Sequence, residues 1–163
     1  VDGLKTGYTT EAGYCLVASA KKDGQRLISV ILGASSTEGR AQESQKLLTY
    51  GMRFFETHTL YNAQESLTKT RVWGGAEDYM ELLVERELAV TIPRGQAKYT
   101  KATMDVNSGI EAPVSAGDVL GKLVITLDTD VILERDLVAG KDMLEGGFFK
   151  GISDSVTRLI SGE

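Results

Sequence analysis

Within Val1-Asp2-Gly3-Leu4-Lys5-Thr6-Gly7-Tyr8, the triplet Lys5-Thr6-Gly7 sets a cation, a hydroxyl and an accessible backbone at consecutive positions. If Leu4 to Tyr8 is extended, Lys5 and Gly7 point to one face and Thr6 to the other, and glycine admits a second backbone or a ligand at close range. Such an edge suits an anionic substrate lying along the strand. Arg40 is the second residue with chemical promise. A cation in the first turn of a helix gains nothing from the helix dipole, whereas a guanidinium there can grip a carboxylate through two parallel hydrogen bonds.

Nucleophilic chemistry needs a serine hydroxyl beside a base. Ser-x-x-Lys on a helix provides this, because positions three apart share a face. Ser19-Ala20-Lys21-Lys22 and Ser66-Leu67-Thr68-Lys69 have the spacing. The first lies in a strand pattern and the second in a β-rich region, so both are read as coincidences. No Ser-x-Asn triplet occurs. His58, the one histidine, falls where a structural hydrogen bond is the better reading, and Cys15 has no base near it in sequence.

The elements that must position Lys5-Thr6-Gly7 and Arg40 are legible around them. Tyr14 to Ala20 and Arg26 to Ala34 are apolar, β-prone runs joined by an Asp23-Gly24 turn signal. With the opening strand they predict three antiparallel strands. The near-continuous apolar run Leu27 to Leu32 implies cover on both sheet faces. Ser35-Ser36-Thr37 caps a helix expected over Glu38 to Glu56, whose stripe of Leu47, Leu48, Met52 and Phe55 packs on the sheet. After Thr57 the chain turns to short strands at Lys69–Trp73, Leu88–Ile92, Lys101–Val106, Leu120–Leu127 and Ile132–Val138, a pattern that predicts a small β-sandwich. Glu77, Asp78, Glu81, Glu85 and Glu87 occur in a stretch without His or Cys and read as a solvated face rather than a metal site. Phe149, Ile152, Val156, Leu159 and Ile160 recur at helical spacing and predict an amphipathic helix.

Composition narrows the function classes. The chain has 163 residues, a formal net charge of −5 and one cysteine. The negative balance and the lack of a basic patch interleaved with aromatics argue against a nucleic-acid partner, and a lone cysteine rules out an internal disulfide framework. There is no run of 18 apolar residues and no cleavable leader pattern.

Lys-Thr-Gly with its flanks, together with Ala12-Gly13-Tyr14, Arg53-Phe54-Phe55-Glu56-Thr57, Val72-Trp73, Thr91-Ile92-Pro93-Arg94-Gly95, Ala112-Pro113 and Glu145-Gly146-Gly147-Phe148-Phe149, resembles the low-molecular-mass penicillin-binding proteins, the serine-type D-alanyl-D-alanine carboxypeptidases. The resemblance runs over nearly the whole chain. It implies an α+β fold: residues 1–57 as the C-terminal segment of a penicillin-recognising transpeptidase/β-lactamase-like domain, residues 58–147 as an all-β sandwich, and residues 148–163 as the start of an amphipathic helix that lies on a membrane surface. It further implies an enzyme of the bacterial periplasm that removes the terminal D-alanine from peptidoglycan pentapeptides through an acyl-enzyme. β-Lactams would inhibit it, and it needs no cofactor and no metal. The nucleophilic serine and its lysine are expected upstream of Val1, so that residues 1–163 alone are expected to be inactive. By the same resemblance Lys5 supports the catalytic hydrogen-bond network, Thr6, Gly7 and Arg40 join Lys5 in binding substrate, and the backbone N–H of Tyr8 donates to the oxyanion. The tyrosine side chain departs from the histidine frequent in relatives. A non-catalytic relative that binds penicillin or peptidoglycan is the alternative.

Overall fold

The computed structural model describes residues 1–147, so the C-terminal helix expected over 148–163, with its membrane contact, lies outside the described residues. The chain divides into two compact units, one of Val1–His58 with Thr91–Lys98, the other of Thr59–Val90 with the chain from Tyr99 on. The strip 91–98 thus belongs with the first unit, although sequence order sets it among the strands of the second.

The first unit is a three-stranded antiparallel sheet with a helix against it. Strands β1 (Gly3–Thr9), β2 (Gly13–Lys22) and β3 (Gln25–Ala34) lie in that order, and helix α1 (Thr37–Phe54) follows. Asp23 and Gly24, both at positive φ (49° and 81°), make the β2–β3 turn, as a tight hairpin matched to strand twist requires. At the start of the sheet, Arg26 Nη1 and Nη2 donate to Asp2 Oδ1 and Oδ2 at 3.0 and 2.7 Å, tying β3 to the residue that leads into β1.

Helix α1 begins where sequence chemistry puts it. Ser36 is extended at the N-cap, and its hydroxyl accepts from the Gly39 N–H at 2.9 Å. Leu48 of the helix buries against Leu16 and Ala18 of β2, with Ala20, Leu27 and Ile31 around them. A hydroxyl pair, Ser29 Oγ and Ser44 Oγ at 2.6 Å, is buried in the same interface and fixes the helix along the sheet. At Gly51 the packing is close, since an added Cβ would stand 2.5 Å from Leu27 Cδ1.

The helix ends two residues before the Glu56 expected from its apolar spacing. Phe55 turns extended (φ −120°, ψ 157°) and opens strand β4 (Phe55–Tyr61) with no glycine or proline between. Arg94 takes over the capping. Its Nε donates to Arg53 O at 3.2 Å and its Nη2 to Met52 O and Phe55 O at 3.2 and 3.1 Å, satisfying carbonyls a helix C-terminus leaves open. The Gly95 N–H donates to Glu56 Oε1 at 2.8 Å. These bonds explain why 91–98 joins the first unit.

Cover was expected on both faces of the hairpin sheet, and the described residues provide it on one. Opposite α1, Val17, Ile28, Val30 and Leu32 form an exposed apolar stripe, with Leu32 at 74%.

The second unit is built on a five-stranded antiparallel sheet. Strands β5 (Ser66–Arg71), β6 (Tyr79–Leu83), β8 (Thr100–Val106), β9 (Val119–Leu127) and β10 (Asp130–Ala139) run in the order β5-β6-β10-β9-β8, while β4 pairs with β7 (Leu88–Pro93) as a separate two-stranded ladder. Alternation drives burial: Met80 and Leu82 are buried between exposed Tyr79 and Glu81, and Leu123, Ile125 and Leu137 have no exposed surface. Trp73 is buried, with the Arg71 guanidinium 3.9 Å from its ring centre.

Candidate active site

Strand β1 is an edge strand whose seven residues are all exposed. Its register against β2 pairs Lys5 with Val17, Thr6 with Leu16, Gly7 with Cys15 and Tyr8 with Tyr14. Leu16 is in the core beneath α1, so Thr6 and Tyr8 share the helix-side face and Lys5 and Gly7 take the other. The lysine amine donates to the Thr6 carbonyl at 2.6 Å.

Arg40 reaches this strand from the first turns of α1. Its Nη1 donates to Gly7 O and to Cys15 O, each at 3.2 Å, and these two residues face one another across the β1–β2 ladder. The guanidinium carbon stands 5.6 Å from the centre of the Tyr14 ring, and Tyr14 stacks on Tyr8 with centroids 4.5 Å apart. A position 33 residues away in sequence is thereby brought onto Lys5-Thr6-Gly7. Its Nε and Nη2 have no acceptor among the described residues. The helix dipole opposes a cation at this end, by about 0.3–1 kcal/mol at exposed sites, so the carbonyls and the ring hold the arginine where its own helix does not.

Of the residues set aside in the sequence, His58 departs from its expectation, since its Nε2 has no hydrogen-bond partner among the described residues. Ser19–Lys22 lies on β2 and Ser66–Lys69 on β5, so neither has the helical setting that a Ser-x-x-Lys pair needs. Ser19 Oγ accepts from Arg26 and the Lys69 amine pairs with Glu81 at 3.1 Å. His58 Nε2 lies 3.3 Å from Glu56 Oε1, without hydrogen-bond alignment. Cys15 Sγ is half-buried, 3.6 Å from Ala12 O. No cluster of three metal-ligating side chains occurs among the described residues. An apolar groove of about 660 Å³ runs between α1 and the sheet past Leu4, Leu16, Ala41, Ser44 and Leu48, but none of Lys5, Thr6, Gly7, Tyr8 or Arg40 lines it. Tyr14, which contacts both Tyr8 and Arg40, was missed in the sequence, where it reads as an ordinary strand aromatic.

Comparison with known proteins places the chain in a family. Residues 55–145 match the family model described as penicillin-binding protein 5, C-terminal domain, and residues 1–36 match that of D-alanyl-D-alanine carboxypeptidase. The chain belongs to the low-molecular-mass penicillin-binding proteins of the D-alanyl-D-alanine carboxypeptidase family, penicillin-binding protein 5 type. It is 42% identical over 161 residues to D-alanyl-D-alanine carboxypeptidase DacA of Escherichia coli K12, covering 98% of this chain and 40% of the relative. It is 37% identical over 149 residues to DacF of Bacillus subtilis, covering 91% and 38%. Among solved structures, penicillin binding protein 5 from Haemophilus influenzae superposes with a TM-score of 0.81 at 37% identity, over 86% of this chain and 42% of that one. The chain thus spans about 40% of the length of the curated relatives it matches.

Proposed function

We propose that the protein is a serine-type D-Ala-D-Ala carboxypeptidase of the cell wall, acting on peptidoglycan stem peptides at the periplasmic face of the inner membrane. The observation that carries the reading is the convergence of Arg40 on the Lys5-Thr6-Gly7 strand through the Gly7 carbonyl. The substrate lies along β1. Its terminal carboxylate is taken by the Thr6 hydroxyl and the free edge of the Arg40 guanidinium, which sit on one face.

A serine upstream of Val1, activated by a lysine one helical turn away, attacks the D-Ala-D-Ala amide. The developing oxyanion is received by the Tyr8 N–H and the nucleophile's own N–H, each such donor being worth about 3–4 kcal/mol in serine hydrolases. Departure of D-alanine leaves an ester that water hydrolyses. Lys5, on the opposite face from Thr6, supplies positive charge to the hydrogen-bond network of the catalytic groups. β-Lactams acylate the same serine. No nucleic acid is involved.

The test is release of D-alanine from a peptide ending in D-Ala-D-Ala by the full-length protein, with and without a penicillin. Penicillin-sensitive release is the expected result. Penicillin binding without any release would replace the enzyme with a non-catalytic binder.

A further inference from the structure

Arg40 has to meet a carboxylate in a fixed direction, yet its own helix supplies nothing to hold it there. The direction comes from β2. We propose that Tyr14 is a positioning residue, and that the Tyr8–Tyr14–Arg40 stack sets discrimination for substrates ending in a free carboxylate. The proposal rests on the reading of Arg40 as the carboxylate-binding cation.

Three observations converge on Tyr14. First, its ring contacts both other partners: Tyr8 is 4.5 Å away by ring centroids and the Arg40 guanidinium carbon 5.6 Å from the ring centre. A ring beside a planar guanidinium restricts how that plane turns. Second, Arg40 spends one nitrogen, Nη1, on the paired carbonyls of Gly7 and Cys15 at 3.2 Å each. The remaining edge is left for an anion, with the ring restricting rotation about the anchored nitrogen.

Third, the backbone is shaped to aim this side chain. Gly13, just before it, has φ +66°, and an added Cβ would stand 3.1 Å from Ala34 O and 3.2 Å from Gly33 Cα. The β2–β3 register shifts beside it, Tyr14 facing Ala34 and Leu16 facing Ile31, so the extra residue lies on β3 and β2 keeps its alternation. The β1–β2 ladder pairs Tyr14 with Tyr8 and Leu16 with Thr6, which puts the Tyr14 ring on the helix-side face, where it meets Arg40.

The experiment uses the full-length enzyme and two peptides, one ending in D-Ala-D-Ala carboxylate and one ending in the carboxamide. The readout is the ratio of their kcat/KM values. Tyr14→Leu should cut that ratio about tenfold, through KM for the carboxylate peptide, and Tyr14→Phe should restore it by keeping the ring. Adding Tyr14→Leu to Arg40→Ala should lower the ratio no further than Arg40→Ala alone.

Equal loss on both peptides, or an additive double variant, overturns the role of Tyr14 as a positioning residue. If Tyr14→Leu melts more than a few degrees below the wild type, Tyr14→Val, whose β-branched side chain suits a strand, takes its place with the same expectations. If Arg40→Ala itself leaves the ratio unchanged, the carboxylate-binding reading fails first, and the proposal falls with it. A ratio that responds to Arg40→Ala but not to Tyr14→Leu sinks the proposal alone.

Discussion

At the scale of single residues, two cations have different tasks. Lys5→Ala in the full-length enzyme should reduce penicillin acylation by several orders of magnitude while shifting Tm by no more than a few degrees, because the side chain is exposed and among the described residues bonds only to Thr6 O. Stopped-flow acylation and a thermal melt check both halves. Arg40→Lys should behave nearly as badly as Arg40→Ala in carboxypeptidase assays, since an ammonium has no planar fork to span two carbonyls and a carboxylate at once. Wild-type activity in the lysine variant would contradict the geometry. Lys5-Thr6-Gly7 and Arg40 were legible as types in the sequence. Their meeting was not, because it depends on the register of three strands and the placement of a helix, none of which local pattern states. Tyr14 was invisible for the same reason.

At the scale of elements, the position of α1 on the sheet decides where Arg40 points. Arg40 and Ser44 are four residues apart and share a helix face, so the Ser29–Ser44 pair pins the same turn that carries the guanidinium. Ser44→Ala leaves the Ser29 hydroxyl buried without its partner and should cost about 1–3 kcal/mol in a denaturant melt; replacing both serines by alanine should recover part of that loss. The far end of the helix is held differently. Glu56 has its carboxyl held below the usual carboxylate range, chiefly by the Gly95 N–H, with His58 and Arg94 adding to it. A depressed folded-state pKa gives stability that is fully present above the ordinary carboxylate value and is lost as pH falls below it and through the folded-state pKa. The Tm gap between wild type and Glu56→Gln should therefore narrow as pH drops from neutral to below about 4. A gap that stays constant across that range would remove Glu56 from the helix-end network. The helix start was readable from Ser36. Its end was not, because Phe55 continues the apolar spacing while the backbone turns extended, and the residue that caps it, Arg94, lies 41 residues beyond Arg53. Strand β6 was also missed: the acidic residues around Tyr79-Met80-Glu81-Leu82 drew the reading toward a solvated face and hid a plain alternation.

At the scale of the whole molecule, the two units rest on different physics. The first couples a small core of Leu16, Ala18 and Leu48 to a chemically equipped edge strand, and keeps an exposed apolar stripe of Ile28, Val30 and Leu32 on its second face. The second is stabilised by its own sheet. Gly121 of β9 sits where an added Cβ would stand 2.7 Å from Asp105 O, so Gly121→Ala must push β8 and β9 apart and should lower stability by about 1–3 kcal/mol without touching acylation kinetics measured below the melt. Unchanged stability would mean that the ladder gives way freely at Val106. The mostly-β character of the second half was legible from turn residues and short apolar runs, but the placement of 91–98 with the first unit was not, since it follows from hydrogen bonds to α1 that no local pattern announces.

The most direct test of the central claim, that β1 is the substrate-binding strand of a serine acyl-transfer site, is to map the penicillin adduct on the full-length protein by intact mass and peptide sequencing. One adduct per molecule is expected, on a serine preceding Val1, with its near disappearance in Lys5→Ala. An adduct on Ser19 or Ser66, or undiminished labelling of the Lys5 variant, would contradict that claim.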